Sequence, residues 1–405
     1  MNKRIRVGVL RETKNPPDRR VPLTPSQIIS LQIEFPDVEF IVQPSDIRCY
    51  SDEEYRYLKI TMKEDLNNCD ILLGVKEVDK STFIPRKTYM FFAHVAKKQL
   101  HNREMFREII DKKVKLIDYE YLTHDNGARV VAFGRWAGIV GAYNGLRARG
   151  IRTDRFNLKP ACECRDLDEL WAGLMMIDLI PGLKILVTGE GRAGQGAMET
   201  ISRINAAQVG PEDFLTKQFD VPVVCQVGPG EYVRHREGKA FDFNHFIEYP
   251  AEYVSDFEKY TKVTDIYIAA HFWDPASPVF ITKEQMADKD FNISVIADVS
   301  CDIDGPIAST MRASTIADPF YGYNPATGEE EKPFKKAENI TVMAVDNLPG
   351  ELPRDASSDF GNQLIENVLH DLFFYGTSPM IKRATITDNG KLTERYSYLE
   401  KYLSE

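Results

Sequence analysis

Lys184-Ile185-Leu186-Val187-Thr188-Gly189-Glu190-Gly191-Arg192-Ala193-Gly194-Gln195-Gly196 is the stretch that decides the fold class. A short run dominated by apolar and β-branched residues reads as a buried strand. GxGxxG follows at once, and a helical pattern, Ala197–Ile204, comes after it. Gly189 suits the tight turn, Gly191 lets backbone approach a pyrophosphate, and Gly194 allows close helix–strand packing. The helix start adds N–H donors and a partial positive charge, with Arg192 beside it. The motif alone is weak, and a structural glycine turn is the plain alternative. A strand before it and a helix after it favour a dinucleotide loop. The acidic residue expected about 20 positions on is not plain. The second strand reads as Ala206–Val209, which ends at Gly210-Pro211, with Glu212 and Asp213 displaced. NAD and NADP therefore both stay open as the cofactor.

Working outward, short runs rich in Val, Ile and aromatics recur at βα spacing. Arg6–Leu10, Glu39–Val42, Ile71–Lys76, Tyr89–Ala93 and Lys115–Tyr119 read as strands, with helical patterns over Pro25–Glu34 and Gln99–Lys112. A second series runs from Lys184–Thr188 through Asp265–Ala270, Ser294–Ser300, Ala313–Ala317 and Thr341–Val345. Alternating strands and helices imply parallel sheets covered on both faces. The expected fold is therefore α/β, with two Rossmann-like doubly wound units and a cleft between the domains. Gly134–Gly150 is rich in small residues and reads as a connecting helix. Residues 207–262 read as a loop-rich insertion, Asn324–Lys336 as a surface hairpin or loop, and Ala356–Phe374 as a helix.

The 405 residues carry 51 basic and 61 acidic side chains, a formal net charge of -10. An acidic surface does not neutralise phosphates, so nucleic acid is not an expected partner. Apolar residues at 43% and charged residues at 28% are ordinary for globular chains and exclude disorder and coiled coil. The charge is uneven, because residues 1–134 hold 23 basic and 20 acidic side chains. Six scattered cysteines suit a reducing compartment. Only Cys162 and Cys164 are close, without further ligands nearby, so no metal site is expected. Met1–Arg6 leads into Val7–Leu10, which is too short for a signal segment. No run reaches the length of a membrane span. A cytoplasmic protein with small-molecule partners is expected; oligomeric state is not legible.

Several further stretches matter together. They are Arg11-Glu12-Thr13-Lys14 with Arg20–Pro25, Gly74-Val75-Lys76-Glu77, Phe91-Phe92-Ala93-His94, Asp118–Tyr121 and Arg129–Gly138. The later part adds Ile296–Ser300, Val345–Pro349, Leu352–Ser357 and Ala384–Leu392. Over nearly the whole chain they resemble the lysine-forming saccharopine dehydrogenase and alanine dehydrogenase superfamily. Within it the chain looks most like the lysine–2-oxoglutarate reductase domain of the bifunctional aminoadipic semialdehyde synthase, without the saccharopine-oxidising half. Glu77 after the lysine follows the fungal saccharopine dehydrogenase pattern instead, and Leu158–Ile180 departs from the family.

The resemblance implies a reversible NAD(P)-dependent oxidoreductase. Lysine and 2-oxoglutarate condense to an imine, which is reduced to saccharopine. Imine formation and hydrolysis need groups that give and take protons. The family's acid–base pair carries over to Lys76 and His94, tuned by acids matching Glu77 and Glu120. Saccharopine bears three carboxylates, and arginine offers a planar fork for each; Arg20 and Arg129 match the family's substrate arginines. Asp346 matches the aspartate beside the nicotinamide, with a helix N-cap as its ordinary alternative. The implied domains are 1–133 plus 352–405 for substrate and catalysis, and 134–351 for the dinucleotide. Rival readings are an alanine dehydrogenase, an opine-type reductive aminase, or a non-catalytic NAD(P)-binding regulator.

Overall fold

The strands of the first unit alternate with helices as β1 (Ile5–Val9), β2 (Val38–Val42), β3 (Thr61–Met62), β4 (Ile71–Leu73), β5 (Thr88–Phe91) and β6 (Lys115–Asp118). Their spatial order is β3-β2-β1-β4-β5-β6, all parallel. Thr385–Asp388 and Lys391–Leu392 extend the β6 edge antiparallel. In the computed structural model, residues 4–374, 376 and 378–404 are described. Met1–Lys3 of the basic N-terminal run and Glu405, the outer limit of the expected first domain, lie outside them. The chain forms two compact units, Met1–Phe133 with Pro353–Glu405 and Gly134–Leu352.

The order reverses between β1 and β4, whose residues Val9 and Leu73 lie side by side. Connections leave this point toward opposite faces, so the segments after the two strands open a crevice. The N-terminus of helix Pro25–Glu34 is set by a capping box. The Gln27 amide donates to Thr24 Oγ1 and the Thr24 amide donates to Gln27 Oε1. Gln27 Nε2 then donates to Ser358 O and Asn362 Oδ1, binding the returning helix Pro353–Leu364 to this unit. That helix runs on through a π-turn, Ile365–Leu369, to Phe374.

The second unit holds β7 (Lys184–Thr188), β8 (Ala207–Gln208), β9 (Val223–Val227), β10 (Val233–His235), β11 (Tyr253–Ser255), β12 (Ile266–Ala269), β13 (Val295–Asp298), β14 (Phe320–Asn324), β15 (Glu329–Glu331) and β16 (Ile340–Met343). The main sheet runs β15-β14-β16-β13-β12-β7-β9-β8, with only β14 and β15 antiparallel to their neighbours. Helix Gly134–Thr153 crosses helix Arg192–Ile201 at glycines. A β-carbon at 138 would lie 1.9 Å from Ala193 O, and one at 196 would lie 2.0 Å from Arg135 O. Small residues therefore set how closely these helices approach.

Three sequence expectations need correction. The strand beside β7 is β9, not the Ala206–Val209 run, whose β8 is a two-residue sheet edge. Residues 207–262 are thus more than an insertion, because they supply a buried strand flanked on both sides, next to the sheet edge. Ala313–Ala317 is not a strand. Reciprocal bonds between Thr315 and Asp318 close a turn, leaving a single bridge from Ser314 to Val345. The Asn324–Lys336 hairpin is present as β14 and β15. Among the described residues no helix is long and apolar enough to cross a membrane.

The returning helix shares the core of the first unit. Phe360 is fully buried, stacks on Phe133 at 4.5 Å between centroids and meets Tyr119 edge-on at 5.1 Å. Replacing Phe360 with Ala is expected to lower unfolding free energy by about 3–5 kcal/mol. A denaturant titration reads this as a lower midpoint at similar slope; a loss below about 1 kcal/mol would mean that the helix adds little to this core.

Candidate functional site

The crevice at the β1–β4 reversal is bridged by Glu12. The amides of Val75 and Lys76 donate to its Oε1 and Oε2 at 2.7 and 2.8 Å. Glu12 is buried, and burial pushes its pKa up to about 8 against the lowering effect of those two bonds. Its carboxyl group fixes the backbone from which Lys76 projects. The Lys76 amine is mostly buried and, among the described residues, has no hydrogen-bond or ion-pair partner. Burial, then the charges of Arg20 and Lys14, lower its pKa to about 8. Arg20 is itself buried on Asp18, with Nε to Oδ1 at 3.0 Å and Nη2 to Oδ2 at 2.5 Å, and its guanidinium lies 4.2 Å over the Phe133 ring. Burial opposes ionisation of Asp18, but Arg20 outweighs it and holds this carboxyl well below the usual range.

His94 follows β5, one strand further along. Its Nδ1 lies 2.6 Å from Glu77 Oε1, while Lys14 Nζ lies 3.2 Å from Glu77 Oε2. Burial works against the Glu77 charge, yet the His94 bond and the neighbouring cations bring its pKa down to about 2. Glu77 is therefore a fixed carboxylate that holds the imidazole. His94 has φ 52 and ψ 14, the left-handed region. A non-glycine residue there costs of order 1–3 kcal/mol and is found where surroundings over-determine it. Phe92 stacks on the imidazole at 6.2 Å.

Beyond β6, Glu120 is buried and pairs with both Arg129 and Lys97, the latter at 3.0 Å. Arg129 is about half exposed, at 51%. The first unit thus brings Lys76, Glu77, His94, Glu120, Arg20 and Arg129 to the carboxyl ends of β1, β4, β5 and β6. Glu12, Lys14, Asp18 and Lys97 complete it. Sequence reasoning assigned these four no role, although Glu12 and Lys14 stand inside the quoted Arg11–Lys14 motif. A buried acid that pairs with backbone leaves no charge-pattern signal.

In the second unit the loop turns at Gly189, with φ 98. Gln226 Nε2, from β9, donates to Gly189 O at 2.8 Å and ties the loop to the neighbouring strand. A β-carbon at Gly191 would meet nothing within 4 Å, so the ground in front of the ten-residue helix Arg192–Ile201 is open. A cavity of about 810 Å³ lies there, lined on one side by Gly189–Ala193 and on the other by Tyr232, Phe243, Phe246, Ile247 and Phe272. Phe243, Ile247 and Phe272 remain 55%, 54% and 81% exposed. This apolar wall and glycine cradle fit the flat base and pyrophosphate of a dinucleotide. His271 also lines it. Burial lowers its pKa to about 3, so the ring is neutral; Nδ1 lies 2.7 Å from Thr188 Oγ1, and buried Nε2 has no partner among the described residues. Asp346 is exposed beyond β16, at the same sheet edge and three strands from β7. Asn347, not Asp346, stands at the cap of the turn Leu348–Glu351.

Among the described residues one group has ligand atoms close enough for a metal, namely His235, His245 and Glu252. The Glu237 amide donates to His235 Nδ1, which leaves the ring proton on Nε2, facing Glu252 Oε2 at 3.2 Å. A ligating nitrogen would need a lone pair there, so this is a hydrogen-bonded cluster as arranged.

Two family models match the chain: "Alanine dehydrogenase/PNT, N-terminal domain" over residues 8–140 and "Alanine dehydrogenase/PNT, C-terminal domain" over 174–395. Alpha-aminoadipic semialdehyde synthase of Arabidopsis thaliana is 29% identical over 440 residues, covering 98% of this chain and 41% of that protein. The mitochondrial enzyme of that name from Rattus norvegicus is 29% identical over 444 residues, covering 98% and 47%. The chain thus spans less than half the length of these relatives. Saccharopine dehydrogenase [NAD(+), L-lysine-forming] of Neurospora crassa is 25% identical over 363 residues, 85% of each. A solved L-alanine dehydrogenase shares the fold, with TM-score 0.64 and 14% identity over 99% of both chains.

The Asp18–Arg20 pair yields a stability test. Replacing Arg20 with Ala removes the guanidinium that the buried Asp18 carboxylate pairs with and is expected to cost about 3–5 kcal/mol. Equilibrium unfolding at neutral pH measures it; a change under 1 kcal/mol would show that Asp18 is solvated.

Proposed function

We propose, because this chain belongs to the alanine dehydrogenase/PNT family, that it is a nicotinamide-dependent dehydrogenase interconverting saccharopine with L-lysine and 2-oxoglutarate. The observation that carries the reading is the Lys76 amine, mostly buried, without an acid partner and beside the His94–Glu77 pair. The curated relatives named for saccharopine and aminoadipic semialdehyde chemistry support the choice of substrate. In the oxidative direction one C–N bond of saccharopine becomes an imine, and water then cleaves it to the ketone and the primary amine. A bound nicotinamide would take the hydride in that direction and return it in the other, held by Gly189, Gly191, Arg192 and Gly194, with Asp346 at the same edge.

The protein's own groups manage protons and carboxylates. Neutral Lys76 takes a proton from the attacking water and returns it to the carbinolamine nitrogen as the C–N bond breaks. His94, oriented by Glu77, takes the proton of the secondary amine as the hydride leaves. Glu120 holds Arg129, and Arg129 and Arg20 are the proposed carboxylate anchors, the first open to solvent and the second set beside Lys76. Cations around Lys76 do two things at once: they attract a polyanionic substrate and keep the amine readily deprotonated.

Oxidation of NADH and of NADPH should be measured with lysine plus 2-oxoglutarate and with pyruvate plus ammonium. Turnover is expected with the first pair; turnover with the second alone would make this an alanine dehydrogenase. Lys76→Met should lower turnover by about 10²–10⁴ while dinucleotide binding stays near normal. Saccharopine oxidation should rise with pH through about 8, as Lys76 loses its proton. Glu12 titrates in the same region, so Glu12→Gln is the control. A limb that persists in that variant and vanishes in Lys76→Met belongs to the lysine.

A further inference from the structure

We infer that Glu190, inside the glycine-rich loop, selects the cofactor: it suits a dinucleotide whose adenosine ribose has free hydroxyls and turns away one with a 2′-phosphate. This deepens the reading of the loop as a nicotinamide dinucleotide site and rests on it. In nucleotide-binding units of this kind an acid at the end of the strand beside the first one receives the ribose hydroxyls. Here that strand is β9, in register with β7 from Lys184↔Val223 to Thr188↔Val227. It ends without an acid, at Gly228-Pro229-Gly230.

Glu190 fills the vacant place from the opposite side. Its Oε2 lies 2.3 Å from where a β-carbon of residue 228 would stand. Gly228 has φ -88 and ψ 174, a backbone open to any residue, so the carboxylate and not the chain path occupies this spot. The Tyr232 phenol, on the cavity wall, feels the Glu190 charge. Glu231, the nearest acid after β9, bears instead on Cys225 and Tyr260 and does not line the cavity. The Glu190 backbone is held where it is: Gln195 Nε2 donates to its carbonyl at 3.3 Å, and Gln226 secures the preceding Gly189. Its carboxylate accepts no hydrogen bond from the described residues and is free to accept from a ligand.

Charge around the cavity points the same way. Among the described residues its lining holds two carboxylates, Glu190 and Asp274, against one cation, Arg192, and His271 is neutral. A 2′-phosphate adds close to two negative charges and requires cationic partners. A ribose diol requires only an acceptor.

Dissociation constants of NADH and NADPH should be measured by fluorescence titration on the full chain and on Glu190→Gln and Glu190→Ala, with circular dichroism confirming the fold. Native protein is expected to bind NADH at least about tenfold more tightly, the scale of one hydrogen bond to a charged group. Glu190→Gln should bind NADPH about tenfold better while keeping most NADH affinity, because it removes charge but not the acceptor. Glu190→Ala should weaken NADH about tenfold and leave little preference. Equal native affinities, or variants that shift both dinucleotides alike, overturn the role of Glu190 and leave the dinucleotide site standing. Folded native protein that binds neither dinucleotide overturns the site reading and this inference with it.

Discussion

Two backbone amides leave the end of β4 with no strand to receive them, and the Glu12 carboxyl group receives both. Backbone donors buried without acceptors are costly, and the strand reversal creates that vacancy, because β1 and β4 diverge there. The rest of the first site depends on this bond pair. It sets the path of Val75 and Lys76, so the Lys76 amine sits among Arg20 and Lys14 and not in open solvent. It also sets where Glu77 follows, within 2.6 Å of an imidazole on the next strand. The left-handed backbone of His94 completes the arrangement from the other side. A weak backbone preference is held there by a short hydrogen bond to Glu77.

The two units apply one topology to opposite ends. Both reverse strand order beside their first strand, and both place their candidate site residues at the carboxyl edge. The first fills the crevice with compensating charges, which suits proton transfer and carboxylates. The second leaves it nearly bare, with glycine on one wall and partly exposed aromatic and aliphatic side chains on the other. Apolar groups left so exposed are economical where a flat ligand covers them.

Features carried by local pattern were legible in the sequence. Lys184–Thr188 and Pro25–Glu34 agree with the expected strand and helix residue for residue, because buried apolar runs and a capping box are local signals. Lys76, His94, Glu77, Glu120 and Arg129 were found through resemblance, and the first unit gathers them at one sheet edge. What escaped depends on contacts distant in sequence. β9 is an apolar run hidden among charged and aromatic neighbours. Ala313–Ala317 has strand composition but closes a turn. Glu12, 63 residues before Val75, looks like a surface acid until the strands are placed. No strand-end acid follows β7 on either reading, because β9, the true neighbour, ends at Gly228-Pro229-Gly230.

The helix Pro353–Leu364 and the strand Thr385–Asp388 return to a unit begun more than two hundred residues earlier. Synthesis runs in one direction, so the second unit is entirely made before the first has its full complement of parts. Until then Phe92, Tyr119 and Phe133 lack Phe360, the aromatic ring they pack against. The apolar side of a nascent sheet thus waits, incomplete, through the making of a whole neighbouring unit. That is the interval in which such a chain is most exposed to misassociation. The same order makes the first unit, begun at the N-terminus, the last to close: however early the second matures, the first is whole only when the tail has come home.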